Sequence, residues 1–396
     1  MSTEVNSVIK IEILRPAHQG FGIGTAEDGR VVFVADTVPG DIVDAEIISR
    51  SKSFSKAIVR GFHTWGPGRI SETHLCPAAA AGAGCCDYSF IDVETQRALK
   101  KKILEDQLAR ITRIEETATV HALEPSVGWR IRARFQVSAD GKLGLRKRNS
   151  HDLVTEHCMQ MHPALYDYVV TEEPGTSLNL MVSMVDGKAV VKAGNAPVTH
   201  TIGDYAFNLR AKDFWQSHSQ APAAFNSLIV DLLGDSAPSY IWDLYGGAGA
   251  LLPGLLSSHP GLKVDSVDIT ASHSKLPGVT FHKAPVEKWV QGSAAEGINR
   301  RRRGRVRAFS QPAGTPDVVL LDPPRSGMHK SLAGAIAAYG DAAISTIVHV
   351  GCDPAAFARD LGRWLEHGYQ VRAVHLVDSF PQTHHFESFA VLHRVK

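Results

Sequence analysis

The chain lacks an excess of charge of either sign. Its 396 residues include 42 basic and 41 acidic side chains. A large positive excess would be the strongest general sign of nucleic-acid binding, so any such role must rest on local basic segments. Two such segments are present, and a solvent-facing surface or loop is the alternative interpretation of each. They comprise Arg130, Arg132, Arg134, Lys142, Arg146, Lys147 and Arg148, and then Arg300 to Arg303, Arg305 and Arg307.

Long apolar runs are also missing. No uninterrupted apolar stretch is long enough to span a bilayer, and the first residues, MSTEVNSVIKIEIL, contain no basic region followed by an apolar run. With 44% hydrophobic and 21% charged residues, the composition is typical of a soluble globular protein, which we expect in the cytoplasm. The length exceeds that of most single hydrophobic cores, so two or three domains are expected. No association motif is evident, and a monomer is expected.

Cysteine is scarce and odd in number. The five cysteines are Cys76, Cys85, Cys86, Cys158 and Cys352. In a chain without a secretion signal, this pattern favours metal binding or catalysis over a framework of disulfides. The first four form one group and the fifth stands alone, so different roles are expected for the two.

Hydrophobic patterning divides the chain into three parts of an α/β multidomain protein. Residues 1–64 contain short β-rich runs separated by glycine, which predicts a small β-barrel. Residues 65–200 are less regular, with a helical stretch near 92–111 and β-like segments, and form a predicted middle α+β domain. Over residues 201–396, apolar β runs alternate with helices, which predicts a largely parallel sheet with helices on both faces.

A glycine-rich turn in the third part indicates a cofactor site. The segment YIWDLYGGAGALLPGLL predicts a strand, a turn containing Gly247 and Gly249, and a helix from about Ala250. The next strand ends in Asp268, about 20 residues after the turn, where a carboxylate can bind ribose hydroxyls. The glycine spacing departs from GxGxxG. The carboxylate of Asp243 beside the turn suits a cationic cofactor such as S-adenosylmethionine better than a pyrophosphate.

Three further candidates lie at or beside predicted strands. PDVVLLDPPRSG presents Asp322 in a proline-stiffened loop, at the edge where open α/β sheets bind ligands. STIVHVGCDPAAF places Cys352 at the end of the next strand, before a helix that would help to stabilise a thiolate. Glu387 lies between Phe386 and Phe389, an apolar setting that would raise its pKa and suit it to general-base work. A structural turn and a buried thiol are the alternatives for the first two.

These motifs resemble, in order, those of the RNA 5-methyluridine (uracil-5-) methyltransferase family, which includes tRNA and 23S rRNA uracil-5-methyltransferases. The resemblance covers nearly the whole chain and is carried by FWQSHSQAP, DLYGGAGA, LDPPRSG, GCDPAAFARDL and DSFPQTHHFE. It implies an N-terminal TRAM domain, which is an OB-like β-barrel that binds RNA, and a middle domain with an iron–sulfur centre. The C-terminal part would be a Rossmann-like class I methyltransferase sheet.

The resemblance also implies an enzyme that methylates carbon 5 of a uridine in 23S rRNA or tRNA, with S-adenosylmethionine as the methyl donor. Cys352 would add to carbon 6, Glu387 would remove the carbon-5 proton, and Asp322 would hold the base through its ring N–H. Because base stacks hide the reacting carbons, the uridine must be flipped out or unpaired. The expected cofactor contacts are Gln216, Tyr245, Gly247, Gly249, Asp268 and Asp322.

The iron–sulfur pattern of the family is altered in this chain. Members with a 4Fe-4S cluster show a first cysteine, a CGGC group and a distant fourth cysteine. Cys76 and Cys158 fit the first and last positions, but Ala83 stands at the second, and an extra thiol, Cys85, precedes Cys86. Four cysteines remain, which is the number that a cubane cluster requires. We expect them to hold this cluster, with zinc or free thiols as the alternatives.

Two other functions remain open at this point. The first is a non-catalytic RNA-binding protein that combines the TRAM barrel with a vestigial methyltransferase domain. The presence of Cys352, Glu387 and Asp322 together argues against such decay. The second is a methyltransferase that acts on an exocyclic nitrogen, since similar proline-rich loops occur in such enzymes, but that chemistry needs no cysteine.

Overall fold

The computed structural model describes residues 4–137, 141–171, 178–185, 188–270, 272, 274–292, 312–339 and 344–395. The basic run from Arg300 to Arg307 lies outside these ranges. Within them, no helix combines the length and the apolar character that crossing a bilayer would require.

A six-stranded sheet over residues 8–64 curls into a barrel. Its strands are β1 (Val8–Glu12), β2 (Arg15–Pro16), β3 (Phe21–Thr25), β4 (Val31–Ala35), β5 (Ile42–Arg50) and β6 (Phe54–Thr64). The strand order is β1-β5-β6-β4-β3-β2. Because β1 and β2 follow each other in sequence yet lie at opposite edges, the sheet closes on itself as expected. Alternate residues such as Ile9, Ile11, Val32 and Val34 are buried inside it.

The middle of the chain forms a second, antiparallel sheet. Its order is β10-β9-β8-β11-β12, beside a separate hairpin of β13 and β14. The helix predicted near 92–111 is present as α2, whose first turn is capped by the Asp92 side chain accepting a 2.8 Å hydrogen bond from the Thr95 N–H. The elements are α1 (Pro77–Ala80), α2 (Val93–Thr112), β7 (Thr119–Ala122), β8 (Arg132–Val137), β9 (Leu143–Arg146), β10 (Leu153–Val154), α3 (Pro163–Thr171), β11 (Leu178–Val185), β12 (Lys188–Ala193), β13 (Pro197–Ile202) and β14 (Tyr205–Arg210).

The C-terminal part contains the predicted α/β sheet. Its elements are α4 (Ala221–Leu233), β15 (Tyr240–Leu244), α5 (Pro253–Ser258), β16 (Lys263–Asp268), β17 (Val279–Lys283), α6 (Val286–Gln291), β18 (Val318–Leu321), α7 (Leu332–Ala337), β19 (Thr346–Gly351), α8 (Pro354–Glu366), β20 (Tyr369–Asp378) and β21 (Glu387–Arg394). The strand order is β17-β16-β15-β18-β19-β21-β20-β7. Among these strands β21 alone runs antiparallel to its neighbours.

Three local details differ from the sequence prediction. β7 pairs in parallel with β20, and α2 packs against α8, so residues 93–122 extend and cover the C-terminal sheet although they precede residue 201. β13 also crosses the predicted boundary between 200 and 201. In addition, the helix expected from about Ala250 begins at Pro253, because Gly249 and Leu252 close two turns before it with backbone bonds of 2.7 and 3.1 Å.

Both faces of the C-terminal sheet are apolar and covered. On β15 and β18, side chains such as Ile241 and Leu320 pack on one face with α4 and α5, and Trp242 and Leu321 pack on the other with α2, α6, α7 and α8. This alternation follows from the two-residue period of a strand, and it explains the continuous apolar runs in the sequence. The C-terminal sheet is therefore a rigid support for the loops at its edge.

A buried ion pair fixes α2 to the end of β20. Lys100 Nζ donates to Asp378 Oδ1 at 2.5 Å and to the Phe380 carbonyl at 3.1 Å, and the side chains of Lys100 and Asp378 are fully buried. Arg97 adds a 3.1 Å contact to the other carboxylate oxygen. The loop that follows β20 is thus anchored at its first residues.

We expect Asp378→Ala to destabilise the protein by about 3–5 kcal/mol, because it leaves the Lys100 ammonium buried without its partner. Replacing both residues, as Lys100→Met with Asp378→Leu, should recover much of that loss. Urea unfolding followed by circular dichroism measures both effects.

The matched control is Asp106→Ala, which breaks the more exposed Lys102–Asp106 pair of 3.0 Å on the same helix. Its cost should stay within about 1 kcal/mol. Equal losses for Asp378→Ala and Asp106→Ala would contradict the role given to the buried pair.

Candidate functional site

A cavity of about 880 Å³ opens at the carboxyl edge of the C-terminal sheet. This volume is in the range of pockets that enclose a cofactor-sized molecule. All residues predicted for catalysis and cofactor binding line it except Gly249. They are Gln216, Tyr245, Gly247, Asp268, Asp322, Cys352 and Glu387.

The register of β21 brings two of these residues together. β21 pairs antiparallel with β19, and Gly351 lies opposite Ser388. The residue after β19, Cys352, therefore lies beside the first residue of β21, Glu387. These two groups come from motifs far apart in sequence, and the strand pairing sets their separation.

The glycine turn lies over the end of β15. Gly247 has a φ of +54°, and its N–H donates to Asp268 Oδ2 at 3.2 Å. At Gly246, a Cβ atom would lie 2.0 Å from Asp243 Oδ2, so no side chain fits there. Gly249 has a φ of +81° and packs against Leu276 and Phe281, which explains its position outside the cavity.

The sequence analysis expected the Asp243 carboxylate to face a cationic cofactor, but this side chain does not line the cavity. Its side chain is buried beneath the turn, where Ser266 Oγ donates to its Oδ2 at 2.7 Å. Burial raises the pKa of this carboxyl to about 7. Asp243 therefore supports the turn from below. Of these two carboxylates, that of Asp268 lines the cavity.

The two catalytic candidates with carboxyl groups are both hard to ionise. Burial raises the pKa of Asp322 to about 7. Burial also raises the pKa of Glu387 well above its usual value, and the charge of Asp322 adds to this effect while Arg325 opposes it. The apolar setting predicted for Glu387 is thus present, and it favours the protonated acid.

Cys352 is a neutral thiol in this structure. Burial, followed by the charges of Glu387 and Asp322, raises its pKa to about 12, and Arg325 opposes this shift. At the start of α8 the Asp353 carboxylate accepts a 2.8 Å hydrogen bond from the Ala356 N–H, so this N–H is not offered to the Cys352 sulfur. The thiolate stabilisation expected from α8 stays a prediction. Asp353 is the N-cap of α8, so the helix end is already satisfied.

The barrel contacts the residue next to Cys352. His18 Nε2 lies 3.0 Å from Asp353 Oδ2. Burial raises the pKa of Asp353, but the hydrogen bonds from His18 and from the start of α8 outweigh it and lower this pKa to about 2. The N-terminal barrel therefore lies at the border of the cavity.

The loop between β20 and β21 is held from the other side by the segment after Cys86. The backbone N–H of His384 donates to Asp87 Oδ1 at 3.0 Å, and the His384 ring bonds to the other oxygen. Tyr88 N–H donates to the Gln382 carbonyl at 2.9 Å. Glu387 thus follows a loop that is anchored at several points.

Phe214, Arg325 and His385 are among the cavity residues that were given no role by the sequence reasoning. Phe214 is 69% exposed, and the Arg132 guanidinium lies 5.4 Å from its ring. Burial lowers the pKa of His385 to about 3, so its ring is neutral. The sequence contained a signal for all three residues, because each belongs to one of the motifs quoted for the family resemblance.

The four early cysteines meet in a separate centre. Their sulfur atoms all lie within 4.8 Å of one another, and those of Cys86 and Cys158 are 3.7 Å apart. Cys86 has a φ of +44°, the unusual backbone that adjacent cysteines need in order to point at one centre. Ala83 is buried nearby and supplies no ligand.

Two family models match the chain. One described as tRNA (Uracil-5-)-methyltransferase matches residues 298–395, and one described as the TRAM domain matches residues 2–59. The latter range overlaps the observed barrel.

Relatives and a solved structure match nearly the whole length. A Corynebacterium glutamicum protein described as an uncharacterized RNA methyltransferase is 36% identical, over 98% of this chain and 97% of that protein. The 23S rRNA (uracil(1939)-C(5))-methyltransferase RlmD of Shewanella piezotolerans is 25% identical, over 98% and 96%. The structure of Pyrococcus abyssi tRNA (uracil-54, C5)-methyltransferase aligns with a TM-score of 0.66 at 17% identity, over 96% of this chain and 100% of that one. This last likeness confirms the predicted fold class.

The electrostatics of Cys352 are testable by alkylation. Because ionised Glu387 raises its pKa and Arg325 lowers it, Glu387→Gln should speed the reaction with iodoacetamide several-fold at alkaline pH, where Glu387 is ionised, and Arg325→Gln should slow it. In each protein the rate should rise with pH through the neutral and alkaline range, because the reactive thiolate fraction grows as the pH approaches the raised pKa. Peptide mass spectrometry after timed quenching measures the rate at this residue.

Glu366→Gln is the matched control, since it removes an exposed charge of the same sign at the far end of α8. It should leave the rate unchanged. A wild-type rate that levels off at or below about pH 10 would show an ordinary or lowered pKa and contradict this description.

Proposed function

We propose that this chain, which belongs to the family of RNA uracil-5-methyltransferases, methylates carbon 5 of a uridine in RNA through a covalent adduct on Cys352. Family membership rests on the full-length relative at 36% identity. The observation that supports the mechanism most is the shared cavity, which Cys352, Glu387 and Asp322 line together with Asp268.

The residues of the cavity fit S-adenosylmethionine. This cofactor, when bound, supplies an electrophilic methyl group on a sulfonium. Asp268 ends β16 with a carboxylate suited to ribose hydroxyls, and Gly247 leaves the backbone open beside it. Gln216 and Tyr245 line the same space. Gly249 would act indirectly, by holding the turn against Leu276 and Phe281.

Carbon 5 of uracil is too weakly nucleophilic to react without activation. Cys352 loses its proton to water, its sulfur bonds to carbon 6, and the electron pair of the ring double bond moves to form an enolate. Carbon 5 then accepts the methyl group. The Glu387 carboxylate removes the carbon-5 proton, the double bond re-forms, and the sulfur leaves as a thiolate. Asp322 accepts a hydrogen bond from the ring N–H of the base and so holds the base in place.

The raised pKa values set a condition on this mechanism. Cys352 and Glu387 both react in their ionised forms, yet burial raises the pKa of both and so favours their protonated forms. Arg325 is the nearby cation that lowers both pKa values. We assign it the role of supporting the anionic forms once the cavity is closed by RNA.

The RNA would approach between the barrel and the C-terminal sheet. His18 of the barrel contacts Asp353, next to Cys352, and the exposed ring of Phe214 with Arg132 lies at the cavity. An aromatic ring and a guanidinium form a surface on which an unpaired base can stack. A uridine in a loop of 23S rRNA or tRNA would reach Cys352 without the cost of opening a duplex.

Deleting the gene should remove 5-methyluridine at one or a few positions, and expression of the wild-type protein should restore it. Cys352→Ala should not restore it, because the sulfur that activates carbon 5 is missing. Nucleotide-resolution mapping of 5-methyluridine in rRNA and tRNA measures this and identifies the substrate RNA.

The control for this variant is its affinity for S-adenosylhomocysteine by calorimetry, which should match the wild-type value because Cys352 lies outside the glycine turn. Full restoration of 5-methyluridine by Cys352→Ala would rule out the covalent route on Cys352. Unchanged RNA in the deletion strain would favour the non-catalytic RNA-binding protein.

Glu387→Gln should accumulate the adduct, because carbon 5 is methylated but its proton is not removed. A protein band that migrates with RNA after denaturation, present in this variant and absent in Glu387→Gln combined with Cys352→Ala, is the expected result. RNA containing 5-fluorouridine should trap the wild-type protein in the same way. Loss of the band on nuclease treatment confirms that RNA is attached, and no band in either experiment would count against the mechanism.

A further inference from the structure

We propose that the four clustered thiols hold one tetrahedrally coordinated divalent ion, zinc by its ligand chemistry, and not the 4Fe-4S cluster that the resemblance implies. The ligands are Cys76, Cys85, Cys86 and Cys158. This proposal is independent of the reaction at Cys352, and its test reads metal content.

The sulfur spacing fits a single ion. With metal–sulfur bonds of about 2.3 Å, a tetrahedral ion places its four sulfur atoms about 3.8 Å apart. The Cys86 and Cys158 sulfur atoms are 3.7 Å apart, and every pair lies within 4.8 Å. The observed set therefore surrounds a space that one ion fills.

A cubane cluster requires a wider set. Each thiolate binds a different iron at a corner of the core, so the sulfur atoms stand about 6 Å apart. Since no pair exceeds 4.8 Å, all of the separations would have to grow by about 1 Å or more. The number of thiols fits the cluster, but their placement does not.

The surrounding backbone restrains such an expansion. Cys76 is the N-cap residue of α1, and its sulfur lies 3.9 Å from the His157 carbonyl oxygen. The loop carrying Cys158 is tied to the same helix, because the Ala78 N–H donates to the His157 carbonyl at 3.0 Å. Three of the four thiols are almost fully buried in the hydrophobic core. Moving the sulfur atoms apart would therefore disturb α1 and its packing.

The departure from the family motif has a direct effect on this geometry. Ala83 is held by a backbone bond from its N–H to the Ala78 carbonyl at 2.9 Å and cannot supply a ligand. Cys85 takes its place, immediately before Cys86. Two ligands from adjacent residues lie close together by necessity, and the φ of +44° at Cys86 turns both towards the centre. Close spacing suits one ion better than the corners of a cluster.

The charge of the centre is partly balanced. Four thiolates with a divalent ion carry two negative charges, and the Arg130 guanidinium lies near enough to Cys158, Cys86 and Cys85 to interact with them. Arg130 is held by Trp129, with 4.8 Å from its guanidinium to the ring, and by a 3.0 Å bond to Gln160 Oε1. It also lines the cavity.

The centre also supports the loop that carries Glu387. Asp87 and Tyr88 follow Cys86 directly, and they bond to His384 and Gln382. An ion bound to Cys86 therefore also fixes Asp87 and Tyr88, which hold the loop between β20 and β21. The role of the metal is structural, as in other closed sites with four thiolate ligands.

The test is the metal content of the full chain, expressed with both iron and zinc available and purified without oxygen. We expect about one zinc per chain by mass spectrometry of the metals, with neither acid-labile sulfide nor the brown colour of a cluster. Exchange with cobalt should give the intense visible bands of a tetrahedral thiolate site. One iron per chain without sulfide would equally support the single-ion geometry.

About four irons with matching sulfide per chain would overturn the proposal, and so would a metal-free protein with free thiols or disulfides. Cys85→Ser should lose its zinc to a chelator that the wild-type protein withstands. Cys352→Ser is the matched control and should retain the metal, because its thiol lies outside the centre. Equal loss from both variants would contradict the assigned ligands, and the wild-type stoichiometry decides the question even if Cys85→Ser fails to fold.

Discussion

The antiparallel pairing of β21 with β19 is the constraint on which the site depends. Parallel strands all deliver their last residues to one edge of a sheet, and a reversed strand delivers its first residue there. Ser388 lies opposite Gly351, so Glu387 and Cys352 meet although they lie on separate motifs. The surrounding structure maintains this register: both faces of the sheet are packed, and the buried Lys100–Asp378 pair anchors the loop that leads into β21.

Crowding of acidic groups is the second feature that governs the chemistry. Asp322, Cys352 and Glu387 line one cavity, where burial raises all three pKa values; Asp322 raises the pKa of Glu387 further, and both carboxylates raise that of Cys352. A resting site of this kind is nearly neutral and chemically quiet. Arg325 provides the opposing charge. The arrangement favours reactivity only in the presence of a substrate that contributes hydrogen bonds and excludes water, which would limit side reactions of the thiol.

Much of the C-terminal sheet and of the cavity could be predicted from sequence, because motifs at strand ends meet at one edge once the strands are parallel. The sequence reasoning failed where the outcome depended on side-chain direction or distant pairing. Asp243 points beneath the glycine turn, and β7 joins the sheet at an edge remote in sequence. The raised pKa of Cys352 had no sequence signal, because burial and the carboxylates of Glu387 and Asp322 act on the thiol only in the folded chain. The backbone of Cys86 has no such signal.

The contact between His18 and Asp353 bears on how modular this protein is. Barrels of this kind are compact and look like units that evolution can graft onto an unrelated catalytic core. Here the barrel supplies an imidazole to Asp353, the residue that follows Cys352, so the contact between the two units lies at the border of the cavity. A barrel taken from another protein would have to provide a histidine at the same place. The barrel and the C-terminal domain are therefore better regarded as one structural unit than as two independent modules.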